Sequence, residues 1–138
     1  MIRLTRRYLF AASHRLHIPS LSEKENMDLF GKCANPYGHG HNFAVEVTVK
    51  GPLDQKLGRV VDLAALDHLV DAAIIQPMNR RDLNQDVPEF TKELVPTTEN
   101  LMAVMMDRLK SVWPNNFPHL DRVRIYETRK NTFEIQNI

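Results

Sequence analysis

Cysteine is nearly absent from this chain: Cys33 is the only one in 138 residues. A single thiol excludes an intramolecular disulfide framework and fits a reducing compartment. Long apolar runs are missing as well. The longest clean one, Leu101 to Met106, has six residues, against the roughly 20 needed to cross a bilayer. The opening residues Met-Ile-Arg-Leu-Thr-Arg-Arg hold no apolar core of about 7–15 residues, so no secretory signal is read there. Neither charge is in excess: 18 Lys and Arg stand against 17 Asp and Glu, a formal +1. That balance gives no general pull toward nucleic acid. What is present, 43% hydrophobic and 25% charged residues, suits a globular domain and not a disordered chain. The expectation is one domain over residues 1–138, cytoplasmic, without a membrane or nucleic-acid partner.

Residues 3–12 mix β-branched, aromatic and basic types without helix punctuation and read as a strand. From His17 to Gly40 the chain is rich in Pro, Ser, Asn and Gly. It reads as a long loop with a helical turn around Glu23–Phe30; such loops are uncommon and often functional. Asn42 to Lys50 alternates strictly, with Phe43, Val45, Val47 and Val49 on one face and Ala44, Glu46, Thr48 and Lys50 on the other. After Asp62, a natural N-cap, Leu63, Leu66, Val70, Ala73 and Ile74 recur at helical spacing, which predicts a helix to about Gln76, ended by Pro77. A polar loop follows to Pro96. Thr97 or Thr98 then caps a helix reaching about Trp113 and burying Leu101, Val104, Met105, Leu109 and Val112. Val123, Ile125 and Glu127 share one face of a third strand, and Phe133 and Ile135 one face of a fourth. The order ββααββ implies an α+β fold with a four-stranded antiparallel sheet. Two helices leave one sheet face hard to cover, and open strand edges are a liability. A homo-oligomer is the physical expectation.

The densest chemical signal is Cys33-Ala34-Asn35-Pro36-Tyr37-Gly38-His39-Gly40-His41-Asn42. Histidines at i and i+2 project from the same side of an extended chain, here with the parity of Phe43, Val45 and Val47. Gly38 and Gly40 let a ligand approach the backbone closely. Two imidazoles on an apolar shelf are half of a zinc site. His14 is the third ligand if the first strand pairs with the second. Three neutral imidazoles and an open fourth position describe a catalytic zinc; the competing reading is loop histidines bonded to backbone. Cys33 has three readings: a fourth ligand that closes the shell, a buried hydrophobe, or a base whose thiolate a nearby dication favours. Glu127 continues an apolar face, where a carboxylate is costly unless its oxygens find donors. Either the strand end is solvated or Glu127 accepts paired N–H groups such as an amino-pyrimidine edge. His17 is the second choice for the metal, His68 falls on the polar side of its helix, and His119 sits in a loop without signal. Met102, Met105 and Met106 read as core filler. Arg80-Arg81 reads as a solvated loop, although two guanidiniums beside a pocket suit a phosphate.

Five stretches together resemble the 6-pyruvoyltetrahydropterin synthase family: Phe10–Leu16, Gly31-Lys32-Cys33-x5-His39-Gly40-His41-Asn42, Gly58–Leu63, Pro96–Leu101 and Val123–Thr128. The resemblance covers nearly the whole chain in order. The five-residue gap before His39 resembles the biopterin-pathway enzyme; the related 6-carboxytetrahydropterin synthase of the queuosine pathway typically has a shorter one. The resemblance implies the tunnelling fold, with trimers closing a barrel and two trimers stacking into a homohexamer. It implies Zn2+ on His14, His39 and His41, holding the side-chain hydroxyls of 7,8-dihydroneopterin triphosphate. It also implies Cys33 as the base, Glu127 as the pterin anchor with Thr97 and Thr98 near it, and elimination of triphosphate. One departure stands out. The family's Leu-Asp-His triplet, whose Asp and His support the cysteine, reads here Met78-Asn79-Arg80. An amide does not titrate and arginine stays charged, so neither relays a proton near pH 7. Two alternatives follow: 6-carboxytetrahydropterin synthase activity, or a zinc- and pterin-binding homologue with reduced or no turnover. A structural zinc domain closed by Cys33 is the third.

Overall fold

Two long strands form the spine of the molecule. β1 (Ile2–His14) and β2 (His39–Gly51) pair antiparallel without a break from Ile2↔Gly51 to His14↔His39. This computed structural model describes residues 1–92 and 94–138. Between the two strands lie α1 (Glu23–Phe30) and a 3₁₀ turn, Gly31–Ala34. After β2 come α2 (Leu63–Val70), a π turn (Asp71–Ile75) and α3 (Gln76–Met78). Next are β3 (Arg81–Asp82), α4 (Leu83–Asp86) and α5 (Thr98–Val112), and β4 (His119–Tyr126) and β5 (Thr132–Gln136) close the chain. The sheet order is β3-β1-β2-β4-β5. The fold is α+β, and its four long strands are antiparallel as the ββααββ order implies. No helix among the described residues is long and apolar enough to cross a membrane.

One sheet face makes the core. Phe43, Val45, Val47, Val49, Val123 and Ile125 are buried there, with Leu66, Ile74, Leu101, Met105 and Leu109 of the helices packed in the same cluster. Each fully buried side chain of this kind stabilises by about 1.5–3 kcal/mol, more than the ~1 kcal/mol of a helix cap; packing therefore holds α2 and α5 in place, and the caps set where they begin. Asp62 caps α2, accepting from the Ala64 and Ala65 amides, and Thr97 caps α5, accepting from the Asn100 amide. The other sheet face is polar. Thr5 and Thr48 hydroxyls meet at 2.7 Å, and the Arg7 guanidinium lies over the Tyr126 ring, 3.7 Å from Glu46.

Several expectations need correction. The turn at Glu23–Phe30 is a full helix, because Ser22 and Glu25 form a reciprocal capping box that satisfies two orphan amides. Pro77 does not end the second helical segment, which continues to Met78. A proline removes one N–H and orphans the carbonyl four residues back. The π turn places Pro77 in a new first turn, and Arg108 Nη1 donates to the Ala73 carbonyl at 3.4 Å. Val112 and Leu63 are half exposed, at 51% and 38%, since both lie at helix ends; Trp113 packs against the core instead of Val112. The stretch from Pro77 to Pro96 is not a plain loop: it carries β3, parallel to β1 through Ala12↔Arg81 and Ser13↔Asp82, and α4. Two residues are too few for an alternation to show. His119 opens β4, its Nε2 2.8 Å from the Asn137 carbonyl.

Candidate metal centre

The β1–β2 register brings the end of one strand against the start of the next. His14 lies opposite His39, and Ala12 opposite His41, so three histidines crowd one end of the sheet. His14 is 1% exposed. Its Nδ1 is 2.9 Å from the Pro96 carbonyl; a carbonyl only accepts, so Nδ1 carries the proton and Nε2 offers its lone pair. That is how a metal-ligating histidine is commonly oriented from behind. The 3₁₀ turn carries Cys33 to the same place, tied by the Leu16 amide donating to the Cys33 carbonyl at 2.7 Å. Ligand atoms of His14, Cys33 and His41 all lie within 4.8 Å of one another. The His39 ring packs edge-on against His41, centroids 4.6 Å apart, as does His14 at 4.9 Å. Cys33 thus lies inside the tight cluster, with His39 on its margin. His17 is outside the cluster and His68 is exposed on α2.

Two observations say that a divalent cation fits. Nε2 of His14 and of His41 are buried and have no hydrogen-bond partner among the described residues, which is costly for polar atoms unless something fills the site. Burial also lowers the pKa of both rings, above all other causes. They therefore stay neutral at pH 7, the form that ligates a metal. Nitrogen and sulfur donors of this kind suit zinc. Burial first, then the charge of Glu127, pushes the Cys33 thiol up.

Glu127 follows β4 and faces inward, its Oε1 3.4 Å from His41 Nε2. The Thr98 hydroxyl, buried at the start of α5, donates to Oε2 at 2.7 Å. Thr97, although adjacent, spends its hydroxyl on the Asn100 amide at 3.2 Å. Asn79 Oδ1 accepts from the Ala11 amide at 3.0 Å, and the Arg80 amide donates to the Ala11 carbonyl at 2.6 Å. A cleft of about 1100 Å³ spans this end of the sheet, lined by His41, Phe43, Asn79, Arg80, Glu127 and Arg129 among others. Sequence reasoning missed the Pro96 carbonyl behind His14, and a backbone oxygen carries no residue signal. It also missed Asn26, whose buried amide ties Ile18, Leu21 and Ser22 together and sets the loop that delivers Cys33. The capping box beside it was the available clue.

The family model described as 6-pyruvoyl tetrahydropterin synthase matches residues 3–137. The chain is 46% identical over 129 residues to the human 6-pyruvoyl tetrahydrobiopterin synthase, covering 94% of this chain and 87% of that one. It is 24% identical over 151 residues to the 6-carboxy-5,6,7,8-tetrahydropterin synthase of Rickettsia typhi, covering 98% and 100%. The solved 6-pyruvoyl tetrahydropterin synthase of Caenorhabditis elegans superposes with a TM-score of 0.89 at 40% identity, covering 99% of this chain and 96% of that chain. Match, identity and superposition run over nearly the full length and agree with the fold and the His–Cys–His cluster: the chain is an enzyme, a lyase, and belongs to the 6-pyruvoyl tetrahydropterin synthase family.

Proposed function

We propose that this protein is a zinc-dependent lyase that converts 7,8-dihydroneopterin triphosphate to 6-pyruvoyltetrahydropterin, releasing triphosphate. The observation that carries the reading is the convergence of His14, Cys33 and His41, with His41 lining one cleft beside a carboxylate, Glu127. His14, His39 and His41 would hold the metal. When bound, a zinc ion supplies a Lewis acid that makes a carbinol C–H more acidic. Glu127 accepts the paired N–H groups of the pterin edge; the hydroxyl of Thr98 on its Oε2 fixes the carboxylate plane. Thr97 serves by starting the helix that presents Thr98. Cys33 takes the side-chain proton as general base, and the thiolate this needs must be favoured by positive charge, since its surroundings raise the thiol.

A second reading, a zinc- and pterin-binding homologue with reduced or no turnover, draws on Asn79 and Arg80. Asn79 Oδ1 is committed to the Ala11 amide and arginine does not titrate, so neither relays a proton to Cys33. One assay separates the readings. Metal-loaded protein given 7,8-dihydroneopterin triphosphate is expected to release triphosphate above a Cys33→Ala control, and mass analysis identifies the carbon product. A 6-carboxy product selects the 6-carboxytetrahydropterin synthase alternative. Release equal to the control, restored by Asn79→Asp with Arg80→His, selects the inactive homologue. The protein acts in this reading as a cytoplasmic homohexamer, a dimer of trimers.

A further inference from the structure

The cleft that holds Glu127 and His41 is also lined by Arg80 and Arg129. They reach it from different parts of the fold, Arg80 from the turn before β3 and Arg129 from the hairpin between β4 and β5. Neither guanidinium pairs with an acid among the described residues, whereas Arg6, Arg7, Arg108 and Arg124 all do. Among the described residues the single carboxylate lining the cleft is Glu127, already engaged by Thr98.

Both arginines stand on pinned backbone. Asn79 and Arg80 grip the amide and the carbonyl of Ala11, at 3.0 and 2.6 Å. Arg80 has φ +60°, the one positive value at a non-glycine residue among the described residues, and side chains enter that region mainly where surroundings impose it, often at ligand sites. On the hairpin, the Thr128 hydroxyl accepts from the Lys130 and Asn131 amides, both at 3.2 Å, which closes the turn under Arg129. Two cations that line one cleft and have no acidic partner among the described residues favour an anion that bridges them. Guanidinium is the group that meets phosphate oxygens in pairs.

We infer that Arg80 and Arg129 form a polyphosphate subsite of this cleft, holding the phosphate tail of a ligand whose ring end reaches Glu127. The inference rests on the pterin reading above for the ring end alone. The arginines bind and position; arginine stays protonated and moves no proton.

Calorimetry on the zinc-loaded protein tests it with two probes, inorganic tripolyphosphate and the phosphate-free pterin 7,8-dihydroneopterin. Arg80→Gly suits a positive φ and keeps the backbone, and Arg129→Ser alters an exposed hairpin residue. Each single variant is expected to raise the tripolyphosphate Kd at least tenfold, and the double variant further, while the dihydroneopterin Kd moves less than twofold. A background contribution from the metal is common to all variants and cancels. Tripolyphosphate affinity unchanged in the double variant overturns the subsite, as does equal loss of both probes. Should dihydroneopterin fail to bind the wild type while tripolyphosphate binding still depends on the arginines, the subsite stands and the pterin reading falls.

Discussion

Burial holds the imidazoles of His14 and His41 below the ordinary histidine range, because neither ring can be hydrated as a cation where it sits. That has a consequence for stability when no metal is bound. The unfolded chain takes up protons as pH falls through about 6.5, while the folded rings resist them. Below that pH the unfolded state therefore binds more protons, and folding stability declines with falling pH until the folded rings titrate. Above it both states are neutral and the contribution is complete. Metal-stripped protein is expected to lose thermal stability as pH drops from 7.5 to 5.5, and a His14→Gln variant to lose less over the same interval. A flat melting temperature across that window would contradict the assignment of these two rings as buried and neutral.

Among the elements, α2 shows how a cap and a packed face divide the work. Leu66, Val70 and Ile74 are fully buried and hold the segment on the sheet. Asp62 sets its first turn through two backbone amides, at 3.0 and 3.3 Å. Asp62→Ala is expected to cost about 1 kcal/mol and to lower the melting temperature by about 2–5 °C. Asp62→Asn keeps an accepting oxygen and should retain most of that stability. Equal losses in the two variants, measured by urea titration, would assign the effect to charge rather than to capping. The π turn after α2 belongs to the same scale. It lets the segment run past Pro77 and delivers Asn79 and Arg80 to the edge of β1, where a helix ended before Pro77 would leave them elsewhere.

At the scale of the whole molecule, the sheet is unfinished as a single chain. β3 pairs only with Ala12 and Ser13, so the outer edge of β1 toward Ile2 is open among the described residues, and β5 is the other edge. Leu9 stands 72% exposed. Open edges invite pairing with another chain. Light scattering is expected to give a mass near six times the 16.0 kDa chain, with a melting temperature that rises with protein concentration. A 16.0 kDa particle would refute the hexamer.

Residue types in the first strand, periodicity in the later ones and caps determined the four long strands, the faces of β2, and the helices begun by Asp62 and by Thr97 or Thr98, because those signals are local. The spacing of His39 and His41 and the inward parity of Glu127 were legible for the same reason. Tertiary structure decided the rest. Only the β1–β2 register brings His14 across from His39, and only the fold of the intervening loop draws Cys33 within reach of His14 and His41. The Pro96 carbonyl behind His14 and the hold of Asn79 and Arg80 on Ala11 join backbone atoms far apart in sequence. Backbone groups are the same in every residue, so which of them meet depends on packing, and no pattern of side chains along a chain records it.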